Sequence, residues 1–123
     1  MAQNVHNADF GPLSVRGRYN RSDAGTGPTF SVWVNGKEAI RADFYPNSPQ
    51  GRHYHEKPYV DPSNAVSTIV LKEVADDGTL LEHIVENLQV IIKRTVGHEL
   101  TPANNAEVGR FIAAMYYLLN LNQ

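Results

Sequence analysis

The sequence predicts an α+β fold, an antiparallel sheet of about five strands followed by two C-terminal helices packed on it. The first part of the chain holds most of the 9 Gly and 7 Pro and shows short alternating apolar stretches, which are typical of strands and loops. The C-terminal third instead repeats apolar side chains at helical spacing. Because the strands come before the helices, a helix-covered sheet is favoured over alternating βαβ units.

Composition limits the possible function classes. The chain has 123 residues, which we interpret as a single domain over residues 1–123, and its 41% hydrophobic content predicts that it folds. A formal net charge of −2 argues against binding of long nucleic acid, so any anion site must be local. The absence of Cys excludes disulfides and thiolate metal sites. Residues 1–9 are polar and do not resemble a signal peptide, so we expect a cytoplasmic protein without a membrane partner.

Apolar and polar side chains alternate over residues 13–19, which predicts the first strand. One face of this strand carries apolar side chains and the other carries polar or basic ones: Leu13, Val15 and Tyr19 against Ser14, Arg16 and Arg18. The basic face is therefore expected to point away from the core. The following segment, Asn20–Pro28, is rich in turn-forming residues and predicts a long, mobile loop.

A hairpin is predicted around Asn35-Gly36, because both residues tolerate the positive φ of a two-residue type I′ turn. Its strands are Thr29–Val34 and Lys37–Phe44. A turn centred there pairs Val34 with Lys37, Val32 with Ala39 and Phe30 with Arg41. The same register groups Trp33 with Ile40, Ala42 and Phe44, and we predict that this Trp33 face packs on the core.

Three segments link this hairpin to the helices. Tyr45–Gln50 contains two prolines and is predicted to be irregular. Gly51–Tyr59 is a short extended piece that runs into Pro58, which suits an edge strand or a rim loop. Val66–Val74 is rich in β-branched residues and predicts a central strand, which Asp76-Asp77-Gly78 would end.

Both helices carry recognisable ends. Thr79 and Glu82 have the spacing of a capping box, which predicts a helix of about eighteen residues that stops at Gly97. The second helix is predicted to have Thr101 as N-cap and Pro102 as its first residue. Its predicted apolar stripe consists of Val108, Phe111, Ile112, Met115, Leu118 and Leu119.

The densest polar cluster of the sequence is the segment 52–57, with Arg41 and Asp43 shortly before it. Arg provides a planar fork for phosphate oxygens, and His and Lys add donors, so the cluster favours an anion site. Arg110, on the second helix, either lies along the surface or reaches a ligand held between that helix and the sheet. The candidate ligand-binding residues are Arg41, Arg52, His53, His55, Lys57 and Arg110.

The same segment permits a metal site. His53 and His55 share one face of an extended strand, while Arg52, Tyr54 and Glu56 share the other. Asp43 or His98 could complete a site for iron, manganese or zinc. A third interpretation is that these are solvated, inert residues of a Pro-rich loop. A cupin site is rejected, because cupins place a glutamate several residues after the His-x-His pair, whereas Glu56 follows His55 directly. We assign no cofactor, no metal and no catalytic residue from the sequence.

Two resemblances bear on function. The layout of a sheet followed by two helices, with Arg52 before the helices and Arg110 on the last helix, resembles the phage anti-Thoeris sponges, which implies sequestration of a nucleotide signal. Ile40-Arg41-Ala42-Asp43 followed by Arg52-His53-Tyr54-His55 is similar to TumE-type toxins, which implies a toxin-like activity.

The leading hypothesis is a non-enzymatic protein that binds a small anionic, nucleotide-like ligand. One alternative is a small nuclease or phosphodiesterase that uses His53 and His55 as acid and base or as metal ligands. Another is a protein–protein inhibitor that acts through the acidic C-terminal half of the chain. The apolar run Met115–Leu121 exceeds what a thin sheet covers and predicts a homodimer or a higher homo-oligomer.

Overall fold

A computed structural model describes residues 5–23, 25–57 and 69–121. Within these ranges the strands are β1 (Val5–Phe10), β2 (Leu13–Ser22), β3 (Gly25–Val34), β4 (Lys37–Asp43), β5 (Arg52–Glu56) and β6 (Ile69–Val74). They form one antiparallel sheet in sequence order, followed by helices α1 (Asp77–Val96) and α2 (Pro102–Leu121). The predicted α+β fold is confirmed, with one strand more than expected.

Both helices pack against the same face of the sheet, which we call the helix face. Phe44 contacts Tyr116 of α2, and Tyr54 contacts His83 of α1. Gly17 allows α2 to approach β2 closely, since a Cβ at this position would lie 2.2 Å from the Met115 sulfur. The largest side chains of the core are fully buried here: Tyr54, Phe44, Leu13, Ile40, Leu80, Ile84, Leu88, Ile91, Ile92, Ile112, Met115 and Leu119.

The predicted mobile loop Asn20–Pro28 is wrong, because β2 and β3 continue through most of it. Gly25 and Gly27 are buried under the segment that follows β4. A Cβ on Gly27 would lie 2.0 Å from the Phe44 carbonyl oxygen, and one on Gly25 would meet the Tyr45 ring. The two glycines therefore permit a close backbone approach, which the sequence does not distinguish from flexibility.

The β3–β4 turn is confirmed, since Asn35 and Gly36 have φ values of 49° and 82° and Val34 pairs with Lys37. Beyond it, a register shift makes Val32 pair with Ile40 and Phe30 with Ala42, so the predicted pairs with Ala39 and Arg41 are wrong. A bulge of this kind inserts one residue and switches the faces of the strand.

Because of the bulge, the residues that face the core differ from those predicted. Ile40 and Ala42 join Phe30 and Val32 on the helix face, while Trp33 lies on the opposite face and is half-buried. The prediction that the Trp33 face packs on the core is therefore wrong.

The positions of β5 and β6 in the sheet also differ from expectation. β5 lies between β4 and β6, so it is not an edge strand, whereas β6 is at the edge and not in the centre. The predicted strand segment 66–68 and residues 58–59 lie outside the described residues. Tyr45–Gln50 is irregular, as predicted.

The helix ends largely follow the sequence. Asp76, and not Thr79, is the N-cap of α1, and its carboxylate accepts a hydrogen bond from the Thr79 backbone N–H at 2.8 Å. Gly97 ends α1 with a φ of 72°. Thr101 accepts from the Asn104 N–H at 3.0 Å, as expected of the N-cap of α2. Neither helix, over its described residues, combines the length and apolar character needed to cross a membrane.

Candidate functional site

The face of the sheet opposite the helices, which we call the groove face, carries polar side chains in rows across the strands. These rows follow from the pairing register, because directly paired residues of an antiparallel sheet point to the same side. The rows are Ser14–Trp33–Glu38, Arg16–Ser31–Arg41–His55 and Arg18–Thr29–Asp43–His53.

A groove of about 860 Å³ runs along this face. Its lining includes Arg16, Arg18, Arg41, Trp33 and Tyr45. The volume lies within the range of about 300–1,000 Å³ that is usual for small-molecule sites. Three guanidinium groups and an aromatic ring therefore share one concave surface of suitable size.

Two of the arginines are held by neighbours on the groove face. The Arg16 guanidinium lies 4.8 Å from the centre of the Trp33 ring, within the range of a cation–π contact. Arg41 donates two hydrogen bonds to the buried carboxylate of Glu38, at 3.1 and 2.7 Å. Both side chains are thus positioned before any ligand binds.

At the β4–β5 side of the groove, Asp43, His53 and His55 form a buried group that we call the Asp-His-His cluster. Their exposed fractions are 8%, 5% and 4%. The Asp43 Oδ2 atom lies 3.0 Å from His53 Nε2 and 3.6 Å from His55 Nε2. One carboxylate oxygen therefore faces both imidazoles.

Further contacts orient the Asp-His-His cluster. Thr29 Oγ1 donates to Asp43 Oδ1 at 2.6 Å, and His53 Nδ1 donates to the Gly51 carbonyl at 2.7 Å. Because Nδ1 of His53 carries this proton, its Nε2 donates a second proton to Asp43 when the ring is protonated and presents a lone pair when the ring is neutral. Asp43 and His53 are thus each fixed at both ends.

The electrostatics of the cluster favour a charged carboxylate. Burial alone would raise the pKa of Asp43, but hydrogen bonds from His53, His55 and Thr29 hold that pKa well below its usual value. Burial likewise opposes protonation of His53, yet its contacts with Asp43 and the Gly51 carbonyl raise the pKa of this imidazole overall. The adjacent Tyr45 has its pKa raised to about 12 by burial and by the Asp43 charge.

The six predicted ligand-binding residues do not share one face of the sheet. Arg41, His53 and His55 lie on the groove face. Arg52 lies on the helix face, where its Nε donates to Asp77 and its Nη1 donates to the Ala75 carbonyl at 3.1 Å. Strand alternation, noted in the sequence for Arg52 and the histidines, accounts for this separation.

Lys57 and Arg110 do not join the groove either. Lys57 is exposed just after β5 and adopts a φ of 57°, and the described groove lining does not include it. Arg110 is exposed on α2, which packs on the other side of the sheet. His98, the other candidate metal ligand, lies in the connection between the helices, and Asp43 takes the third position of the cluster.

Several groove residues were not among the predicted site residues. Arg16 and Arg18 were placed correctly on the polar face of a strand, but only the β2–β3 register brings them beside Trp33 and Asp43. Thr29 was assigned to a strand without a role. The alternation of Arg16 and Arg18 in β2 was the available sequence signal, but the β2–β3 register was hidden because Asn20–Pro28 was interpreted as a loop.

Comparisons with protein-family models, with curated proteins and with solved structures each found no match to this chain. The functional argument therefore depends on the geometry of the groove and of the Asp-His-His cluster.

Proposed function

We propose that the protein binds a small anionic, nucleotide-like ligand in the groove and sequesters it without chemical change. The observation that carries this proposal is the convergence of Arg16, Arg18 and Arg41 with Trp33 on a groove of about 860 Å³. Sequestration of a nucleotide signal in the cytoplasm, as part of a phage or mobile-element anti-defence system, is the role we infer for such binding.

The chemistry of the groove suits the two parts of a nucleotide. Guanidinium groups bind phosphate oxygens through paired, charge-assisted hydrogen bonds. The Arg16 guanidinium lies over the Trp33 ring at 4.8 Å, so a planar base would stack on the outer face of this guanidinium or take its place on the ring. A phosphate near Arg18 and a base near Trp33 would lie two rows apart on the sheet, with the row of Arg16 and Arg41 between them.

The charge balance of the groove selects a small anion over a polymer. Among the described residues, three arginines line it together with two carboxylates, Glu38 and Asp43. This surplus of one positive charge suits a ligand with one or a few phosphates, whereas binding of long nucleic acid needs many phosphate contacts.

A homodimer through α2 is part of the proposal. Met115 and Leu119 are buried in the core, but Tyr117 and Leu118 are 64% and 44% exposed. The neighbouring Ala113 and Ala114 are also exposed, which leaves a strip of small and apolar side chains, bordered by the exposed Arg110, that is suited to close packing with a second copy. Sedimentation at twice the chain mass, reverting to a monomer in Leu118→Glu, supports this arrangement, and a strict monomer contradicts it.

The test is a thermal-shift screen with mono-, di- and cyclic nucleotides. Saturation at 100 times Kd stabilises a protein by about 2.7 kcal/mol, so a true ligand gives a clear rise in Tm. Arg18→Gln should abolish that rise, whereas the matched control Arg110→Gln should retain it. No shift with any nucleotide, or equal shifts in both variants, would contradict the proposal.

The Asp-His-His cluster beside the groove favours one alternative, a metal-dependent phosphodiesterase. The two functions differ in what is recovered from the complex. A sequestering protein releases its ligand intact on denaturation, whereas a phosphodiesterase releases a product of altered mass. Chromatography of the released material therefore decides between them.

A further inference from the structure

We infer that Asp43, His53 and His55 form a binding site for a divalent first-row transition-metal ion such as zinc. The Asp-His-His cluster brings one carboxylate and two imidazoles together from two adjacent strands. This ligand set is common in zinc and non-haem iron proteins, and it does not depend on what the groove binds.

The distances within the cluster suit a shared ion. One possible ligand atom from each of the three side chains lies within 4.8 Å of the others. Tetrahedral coordination with bonds of about 2.0–2.1 Å separates ligand atoms by about 3.3 Å. The observed separations of 3.0 and 3.6 Å from Asp43 Oδ2 to the two Nε2 atoms fall on either side of that value. The His53 and His55 ligand atoms, which lie within 4.8 Å of each other, would approach to about the same separation on binding the ion.

The surrounding hydrogen bonds match those of metal sites. A metal-bound imidazole usually donates its other N–H to a carbonyl or carboxylate, which fixes its tautomer. His53 does so through Nδ1 to the Gly51 carbonyl at 2.7 Å, which directs Nε2 toward Asp43. On the other side, Thr29 holds Asp43 Oδ1 at 2.6 Å and leaves Oδ2 facing the histidines.

An ion can reach the Asp-His-His cluster from the groove. His53 and His55 are almost fully buried, whereas Asp43 also lines the groove. Three protein ligands leave at least one coordination position for water or a ligand atom. A bound ion would therefore add a positive charge at the β4–β5 end of the groove.

Zinc titration of the wild-type chain gives the first test. Protein stripped with EDTA and dialysed should bind one zinc ion per chain in a calorimetric titration. Proton NMR of the imidazole rings should then show two of the 5 histidines shifting, assigned as His53 and His55 by triple-resonance experiments on the isotopically labelled wild-type chain. No binding, or shifts confined to His6, His83 or His98, would overturn the inference.

Variants give the second test. His53→Gln, His55→Gln and Asp43→Asn should each weaken zinc binding more than about 100-fold, whereas the matched control His98→Gln should retain it. Thr29→Val, which removes the hydrogen bond to Asp43, should cost about 10–100-fold, as is usual for groups that orient a ligand. Unchanged affinity in the three cluster variants would overturn the inference. If those variants fail to fold, the wild-type NMR result decides.

Discussion

The two faces of the sheet use the same strands for different purposes. On the helix face, β4 and β5 contribute Ile40 and Tyr54, which are fully buried against the helices. On the groove face, the neighbouring positions of the same strands are Arg41 and His53, which contact carboxylates. Alternation along a strand thus places adjacent residues on two faces of different character, one apolar and covered by the helices and one polar, for which we propose binding. Substitutions on the two faces should therefore have separable effects.

The largest expected difference lies between the neighbours Ile40 and Arg41. Ile40→Ala should lower the free energy of unfolding by about 2–5 kcal/mol, because it leaves a cavity in the core. Arg41→Ala combined with Glu38→Gln, which leaves no buried carboxylate without its partner, should cost far less stability but should weaken binding of the nucleotide ligand. Urea unfolding and calorimetric binding measure the two effects. Equal loss of stability in both variants would show that the faces are not separable.

A substitution at Gly17 tests how closely the helices pack on the helix face. Gly17→Ala should destabilise the fold by about 1–3 kcal/mol, because the new methyl group meets the Met115 side chain. Gly36→Ala, in the exposed β3–β4 turn where an added methyl group would meet no atom within 4 Å, is a comparison for the strain of positive φ alone. If Gly17→Ala costs as much stability in a Met115→Ala background as in the wild-type chain, crowding at this contact is not the cause.

Arg52 and Arg18 lie on opposite faces of the sheet, so the same substitution at each position gives a matched comparison. Arg52→Gln should reduce stability by about 1–2 kcal/mol, since it removes charge-assisted hydrogen bonds to Asp77 and the Ala75 carbonyl. It should leave nucleotide binding unchanged. Arg18→Gln should show the reverse pattern. The comparison requires the Tm and the nucleotide affinity of each variant, and loss of binding in Arg52→Gln would place that residue in the site.

The smallest expected effect is on the pH dependence of Tm. It concerns Tyr116, whose hydroxyl donates to Asp77 on the helix face of the sheet. Burial, aided by the Asp77 carboxylate, raises the pKa of Tyr116 from 10.0 to about 12. A raised pKa in the folded state contributes stability below pH 10, which is lost as the pH rises toward 12. Tyr116→Phe should therefore flatten the alkaline decline of Tm slightly. An unchanged pH profile in this variant would argue against the contribution.

Local patterns in the sequence were enough to predict much of the fold. Turn chemistry at Asn35-Gly36 and the ends of the helices at Gly97 and Thr101 depend on neighbouring residues, and all were confirmed. The bulge opposite Val32 and the close approach over Gly27 depend on tertiary packing. Neither leaves a distinct local pattern, so both were missed.

The candidate site shows the same division. Alternation placed His53 and His55 together, away from Arg52, and proximity suggested Asp43 as their partner. The position of Arg16 and Arg18 beside β3 depends on the β2–β3 register, and their proximity to Arg41 and Asp43 depends also on the β3–β4 register, which the bulge shifts by one residue. Residues brought together by several registers are difficult to identify from one sequence, because an error in any register moves the whole row.

The strand order has a consequence for how the chain folds. Every strand pairs with the one directly before it, so the sheet can grow by successive hairpins, each closing a short loop. The longest separation between consecutive strands runs from Glu56 to Ile69. Docking of β6 should therefore be the slowest pairing of the sheet.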